Sequence, residues 1–503
     1  MVPGGRTAAL RPVGGAVPAR VTSPLLPWLV LLLAVASFVA AQWTLASVNG
    51  FWEDEYFSLY SSDPALPFAR LFSERIGPDS NPPLYFSLLY AVRLLVPDNR
   101  AAMTLLNLLF LAGAAGITYP SARRTGLVLT WAGCFGLMLL SGPVLRYAAE
   151  GRAYLLGMCL SFAASWFTAL LIVAGRRPVS LLALAFVSAV AAGTHLFAAL
   201  FCCCLAAGLL ALAIAVRRRD LVAPALALAV PGGVLTLVWL AFALQHADNL
   251  TWITFDRAAL ANAVWEIRSL VFGPWLVAAP AALLLAAGLA SRTTRALTGA
   301  FCVAFLVFLL LPMLASLWRP IVVPRYWLIG APALCVLIVM VVATWLGMAQ
   351  EGRMSRRLGW SAGVLLALFA LGSSAGGLRS AYTFIKGKPV WSGAEAVRRL
   401  AVNCPPGSIA VLGDPERYAI ASGMPAELFR QRPQSGPAPV NGSCGVVGWA
   451  EHVRLVAYPE LADYTNETAP KDLLLARIGL AIDPASVEID WHSSGFVVVR
   501  RKQ

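Results

Sequence analysis

The chain has 503 residues, of which 59% are hydrophobic and 13% charged, and its formal net charge is +14. Soluble globular domains carry roughly a quarter charged residues, so this composition excludes one and places most of the chain in lipid. Nucleic acid is excluded as a partner as well, because the arginines stand in short clusters between apolar runs and form no continuous basic face.

A helix that crosses a bilayer needs about 20 apolar residues. Runs of that kind fall at 26–46, 101–120, 127–145, 153–174, 179–197, 198–216, 221–244, 274–290, 296–316, 327–348 and 358–378, which predicts about eleven spans. Every second connection is basic: Arg6, Arg11 and Arg20 precede the first span, and Arg123-Arg124, Arg176-Arg177, Arg217-Arg218-Arg219, Arg292 with Arg295, and Arg353 with Arg356-Arg357 follow later. By the positive-inside rule these connections are cytoplasmic. The tail 1–25 is then cytoplasmic, 26–378 forms the membrane domain, and the intervening loops and residues 379–503 lie outside. The outer loops collect the acids: Glu53, Asp54, Glu55, Asp63, Glu74, Asp79, Asp98, Glu150, Asp248, Asp256 and Glu266.

The stretch Pro82 to Val96 is too short to span and would reverse every later loop if it did, so it is expected to lie as an interfacial helix on the outer leaflet. The first run also fits a secretory signal peptide, with its basic start and Ala40-Ala41. Retention is expected, because the most charged motif of the chain follows directly. Seven cysteines, Cys134, Cys159, Cys202, Cys203, Cys204, Cys302 and Cys335, fall in spans as small packing residues. Cys404 and Cys444 fall in the outer segment, where an oxidising compartment permits a disulfide.

The segment 379–503 reads as a mixed α/β extracytoplasmic domain. A helix at Gly393 to Val402 leads to a strand at Ser408 to Leu412, another strand follows Cys444, and Val487 to Arg500 reads as a hairpin turning at Ser493-Ser494-Gly495. Residues Arg430 to Gly442 are rich in Pro and Gly and read as a loop.

Three groups of residues can carry chemistry. Glu53-Asp54-Glu55 sits in the outer loop 47–100, between Trp52 and Tyr56, where a membrane boundary can desolvate a carboxylate and favour its protonated form. Asp54 or Glu55 there suits a general base, although acids are common in outer loops. Arg146, Tyr147, Glu150, Arg152 and Tyr154 form a second group, and Arg319, Arg325 and Tyr326, beside Pro320 and Pro324, a third. A guanidinium makes paired, charge-assisted hydrogen bonds to phosphate, while an ordinary interfacial belt of Arg and Tyr has the same composition.

Taken in order, Asp54-Glu55 after the first span, Asn81-Pro82-Pro83-Leu84-Tyr85, Glu150-x-Arg152-x-Tyr154 and Pro324-Arg325-Tyr326 resemble the GT-C superfamily of membrane glycosyltransferases. Within it, residues 26 to 348 are similar to the bacterial relatives of protein O-mannosyltransferases and of the lipid A aminoarabinose transferase. The resemblance implies a multi-pass enzyme of a bacterial inner membrane, a hexosyl- or pentosyltransferase. Its donor would be a polyprenyl-phosphate sugar, its acceptor an outer-face glycan, lipid or protein, and the transfer would invert the anomeric centre. It also implies roles: Asp54 as catalytic base with Glu55 beside it, Glu150 toward acceptor or metal, and Arg325 facing the donor phosphate, with Arg146 or Arg152 assisting and Tyr154, Tyr326 and Asn81 lining the substrate. Many relatives have His where this chain has Asn81, which cannot titrate near neutrality. A divalent metal, if one binds, would use Asp54 and Glu150; no His-rich ligand set accompanies them.

A flippase or transporter of lipid-linked sugars would instead place ionisable residues and broken helices near the bilayer midplane, often in repeated halves, and no repeat is evident. A polysaccharide polymerase or ligase differs in its donor, a pyrophosphate-linked glycan. The topology is directly testable by labelling with a membrane-impermeant thiol reagent. A cysteine at Glu150 is expected to react from the outer side and one at Arg123 from the cytoplasmic side; labelling of both from one side would refute the alternation.

Overall fold

A computed structural model of the chain describes residues 25–245, 275–386, 394–431, 444–449, 475 and 483–501, with short internal breaks. Arg6, Arg11, Arg20, Arg176, Arg177, Asp248, Asp256, Glu266, Arg319 and Pro320 lie outside the described residues, as does the expected turn at Ser493-Ser494-Gly495. The chain divides into two compact units, one of residues 1–47 and 76–383, the other of 48–75 and 384–503.

The first unit is a helical bundle. Its helices are α1 (Leu26–Ala46), α4 (Leu84–Leu95), α5 (Asn99–Thr125), α6 (Val128–Leu139), α7 (Gly142–Ala148), α8 (Tyr154–Val173), α9 (Leu181–Thr194), α10 (Leu196–Ala215), α11 (Val222–Gln245), α12 (Trp275–Ala290), α13 (Arg295–Ala315), α14 (Ala331–Gln350) and α15 (Arg356–Lys386). Among the described residues eight helices are long and apolar enough to cross a membrane, or nine if the pair α6 and α7 is one broken span. Every expected run thus contains a helix, and eight or nine of the eleven have the length and apolarity of a span among the described residues. The run 127–145 bends by 63° between α6 and α7, because Pro143 cannot donate into a continuing helix and restarts one instead. The runs 179–197 and 274–290 give helices of 14 and 16 residues, shorter than the roughly 20 residues of a perpendicular span. The interfacial stretch forms α4, 12 residues long, which packs on α5 and α9.

Helix ends follow local chemistry. The Asp98 carboxylate accepts from the Ala101 amide at 2.7 Å and caps α5. At the other end Arg123 and Arg124 occupy the last turn, and Gly126 takes the left-handed conformation, φ 71°. In the bundle α8 is buried along its whole length, with α5, α9, α10 and α14 around it. α1 and α15 are peripheral and present Leu29, Leu32, Trp43, Val364 and Leu371 outward. Indole and hydroxyl groups join neighbouring helices: Trp131 Nε1–H donates to Thr118 Oγ1 at 2.9 Å, and Trp166 Nε1–H to Ser121 Oγ at 2.8 Å. The cysteines of the spans are free thiols within this packing.

The second unit combines the helices α2 (Glu53–Tyr60) and α3 (Phe68–Leu71) with the C-terminal segment. Helices α16 (Ala394–Val402) and α17 (Pro415–Ser422) accompany strands β1 (Ile409–Val411), β2 (Phe429–Gln431), β3 (Gly445–Trp449), β4 (Val487–Trp491) and β5 (Phe496–Arg501). The strand order is β2-β1-β3-β5-β4. β1 lies parallel to β2 and β3, with Ile409 opposite both Phe429 and Gly445, and β5 is antiparallel to β3 and β4. The apolar alternation places the expected helix, two strands and hairpin close to where they form. α17 and β2 were not expected; both are short, and β2 runs into the stretch read as a loop. Val397, Ile409, Val411, Tyr418, Phe429, Val447 and Val498 make the core, against which Tyr56 of α2 packs. Cys404 and Cys444 are joined in a disulfide at the edge of that core.

One contact in the bundle is made by backbone alone. A Cβ at Gly377 of α15 would meet Gly142 Cα and N of α7 at 2.6 Å, whereas one at Gly363 of the same helix would meet nothing within 4 Å. Gly377→Val is therefore expected to destabilise the purified protein by about 1–3 kcal/mol, and Gly363→Ala to leave it unchanged or slightly more stable. Thermal unfolding in one detergent compares the two; equal melting temperatures would show that the helices do not meet there.

Candidate active site

The unit-one residues singled out in the sequence converge where three helices break. α7 ends at Ala148, and the chain turns through Glu150 and Arg152 before α8 starts at Tyr154. Asn107 of α5 fixes this turn, its amide donating to the carbonyl oxygens of Ala148 at 3.1 Å and Glu150 at 2.8 Å. Arg146 and Glu150, one helical turn apart, form an ion pair with a nitrogen–oxygen distance of 3.6 Å, and the Glu150 side chain is fully buried. The Arg146 guanidinium also lies 5.0 Å from the centre of the Tyr147 ring.

From there the site continues as a chain of rings. Tyr147 and Tyr154 lie 4.8 Å apart between centroids, Tyr154 and His195 5.4 Å, and His195 and Tyr326 5.1 Å. Arg325 and Tyr326 come from a 3-10 turn, Pro324–Gly330, that leads into α14. The Arg325 guanidinium carbon is 5.9 Å from the Tyr154 ring centre. Asn81, just before α4, donates to the Asp79 carboxylate at 3.1 Å. Asn81, Tyr85, Arg152, Tyr154 and His195 line one small pocket.

The structure thus brings Arg146, Glu150, Arg152, Tyr154, Arg325, Tyr326 and Asn81 into one neighbourhood of the first unit. Asp54 and Glu55 are on α2 of the second unit, where Glu55 is buried, Asp54 is half-buried, and the Asp54 carbonyl accepts from Ser58 Oγ at 3.1 Å. Among the described residues no three of His, Cys, Asp and Glu converge as metal ligands. Asp54 and Glu150 belong to different units, and no step is assigned to a metal.

Two residues of the same kind went unnoticed in the sequence. His195 sits at the joint between α9 and α10, where its Nδ1 accepts from the Phe197 amide at 3.2 Å and caps α10. The signal for it was an ionisable residue inside an apolar run, in a chain with only four histidines. Arg75 is the other, buried in the second unit. It donates to the Tyr60 carbonyl at 2.8 Å, pairs with Asp63 at 3.2 Å and with Glu416 of α17, and stands over the Tyr60 ring at 4.2 Å. Nothing in its sequence neighbourhood points to Glu416.

No protein-family model and no curated protein matches the chain. Two solved structures of ArnT from Cupriavidus metallidurans do match in fold. The one bound to undecaprenyl phosphate has a TM-score of 0.54 and 16% identity, over 95% of this chain and 98% of that one. The apo state has a TM-score of 0.53 and 15% identity, with the same coverage of both chains. At that identity the likeness is one of fold, and the fold is GT-C.

The buried ion pair yields a stability test. Arg146→Met leaves the enclosed Glu150 carboxylate without its guanidinium, and a loss on the order of 3 kcal/mol is expected. Adding Glu150→Gln should recover most of it. Unfolding of the single and double variants decides: a single variant as stable as wild type would mean that the pair contributes nothing.

Proposed function

From the GT-C fold, we propose that this chain is a membrane glycosyltransferase that takes one sugar from a polyprenyl-phosphate carrier and passes it to an acceptor on the outer face. The observation that carries the reading is the cationic, aromatic-walled pocket built from Arg152, Tyr154 and Asn81 with Arg325 close by, in a fold similar to that of an ArnT bound to undecaprenyl phosphate. Guanidiniums suit a phosphate by charge and by paired hydrogen bonds. The aromatic rings suit the apolar face of a sugar.

The transfer is a single displacement. The acceptor oxygen attacks the anomeric carbon, and the bond from that carbon to the phosphate oxygen breaks. The lipid phosphate leaves with the electron pair, and the configuration inverts. Asp54 takes the hydroxyl proton as the new bond forms, and Glu55 stands beside it. Arg325, with Arg152 or Arg146, meets the charge that grows on the leaving phosphate. Glu150 orients Arg146 from its buried position and is the candidate contact for acceptor. Tyr326 shapes the wall against Tyr154.

The test is transfer of label from undecaprenyl-phosphate hexoses and pentoses by the purified protein, with undecaprenyl phosphate binding measured in parallel. Asp54→Asn is expected to lower turnover about 10²- to 10⁴-fold with binding retained, and Glu53→Gln to do less. Arg325→Ala should weaken binding itself. Near-normal turnover by Asp54→Asn would remove it as the base. Release of intact donor across a bilayer without transfer would make the chain a flippase instead.

A further inference from the structure

His195 has geometry that the reaction above does not use. It is buried, 8% exposed, yet it lines the pocket shared by Asn81, Arg152 and Tyr154. Its Nδ1 is occupied as an acceptor, receiving the Phe197 amide at the first turn of α10. An imidazole nitrogen that accepts a hydrogen bond carries no proton, so the ring proton is on Nε2, and Nε2–H is a donor. The positive end of the α10 dipole also disfavours a protonated ring there. Among the described residues the His195 side chain makes no hydrogen bond other than the one at Nδ1. The edge that carries Nε2 is therefore the edge left for a ligand.

We infer that His195 is a neutral hydrogen-bond donor to the phosphate of the lipid carrier, working through Nε2–H beside the Arg152 guanidinium. The inference rests on the reading of this pocket as the donor site. A neutral donor has a physical advantage at this position. With two guanidiniums already near, a third cation would repel them in the empty pocket and would hold the product phosphate after transfer. An N–H dipole adds direction to the anion's binding without adding net charge. The helix joint serves both ends: the main chain fixes one nitrogen, and that fixes the proton on the other.

The experiment uses full-length protein in nanodiscs and two replacements that separate the nitrogens. His195→Asn keeps an acceptor for the Phe197 amide but has no donor that reaches the Nε2 position; His195→Gln carries a donor near that position. The Asn variant is expected to fold like wild type and bind undecaprenyl phosphate about 10- to 100-fold more weakly, the range for one hydrogen bond to a charged group. The Gln variant should bind nearly as wild type. Wild-type affinity in the Asn variant, or equal loss in both, overturns the assignment. Inorganic phosphate is the second probe, since it shares the headgroup chemistry. An Asn variant weakened toward inorganic phosphate but not toward undecaprenyl phosphate also overturns it.

A readout on the wild-type protein does not depend on either variant folding. Undecaprenyl phosphate is expected to slow diethylpyrocarbonate modification of His195, followed by peptide mass analysis, and an unchanged rate refutes the contact. Failure of the wild-type protein to bind undecaprenyl phosphate at all sinks the donor-site reading and this inference together. Wild-type binding of undecaprenyl phosphate with either histidine test failing sinks only the inference.

Discussion

Inside an apolar bundle a backbone amide or carbonyl has no water to turn to, so a helix can stop only where another group takes over its hydrogen bonds. The first unit meets this constraint at two of its breaks with a specific polar side chain. Asn107 receives the turn after α7 by donating to two of its carbonyls, and His195 receives the start of α10 by accepting from Phe197. Those breaks are where the chemistry-bearing residues project. Glu150 and Arg152 stand in the first, His195 in the second, and Arg325 and Tyr326 on the 3-10 turn before α14. A regular helix would have spread these side chains around a cylinder. The interruptions let several of them face one pocket, and the residues that satisfy the interruptions hold that pocket's shape.

The second unit meets a different constraint, the burial of a cation. Arg75 has a side chain only 6% exposed, and a lone guanidinium there would be very costly. It is compensated by a carbonyl, two carboxylates and an aromatic face, drawn from both the segment 48–75 and α17. Replacing such a cluster with apolar residues of similar size can leave stability unchanged or higher. What the cluster supplies is pairing specificity: it matches the segment bearing α2 to one place on the C-terminal fold, because a shifted register would strand the charge.

Much of this could be read from the sequence, for reasons that differ by feature. Long apolar runs can only be helices in lipid, so each of the eleven runs contains one, but length alone does not tell a straight span from the bent α6 and α7 or the short α9. Pro143 was the local warning of the bend. Motif order and resemblance carried Glu150, Arg152, Tyr154 and Arg325 into one site. His195 was hidden because the hydropathy of 179–197 absorbed it into a span, although an ionisable residue there was itself the clue. The partnership of Arg75 with Glu416 was not legible, since no periodicity links residues so distant in the chain. The strand β2 is three residues long, too short to stand out from the Pro- and Gly-rich composition of 430–442.

The second unit is assembled from residues 48–75 and 384–503, with the helical bundle encoded between them. Synthesis runs at about 5–20 residues per second, so roughly 300 residues of bundle delay the second piece by on the order of 15 to 60 s. Throughout that interval α2, with Asp54 and Glu55, has already been made, while β1 and α17, with the Glu416 partner of Arg75, have not. The helix that carries the acidic motif therefore reaches its native packing only after the last apolar helix has left the ribosome. A chain interrupted within the bundle cannot acquire that packing.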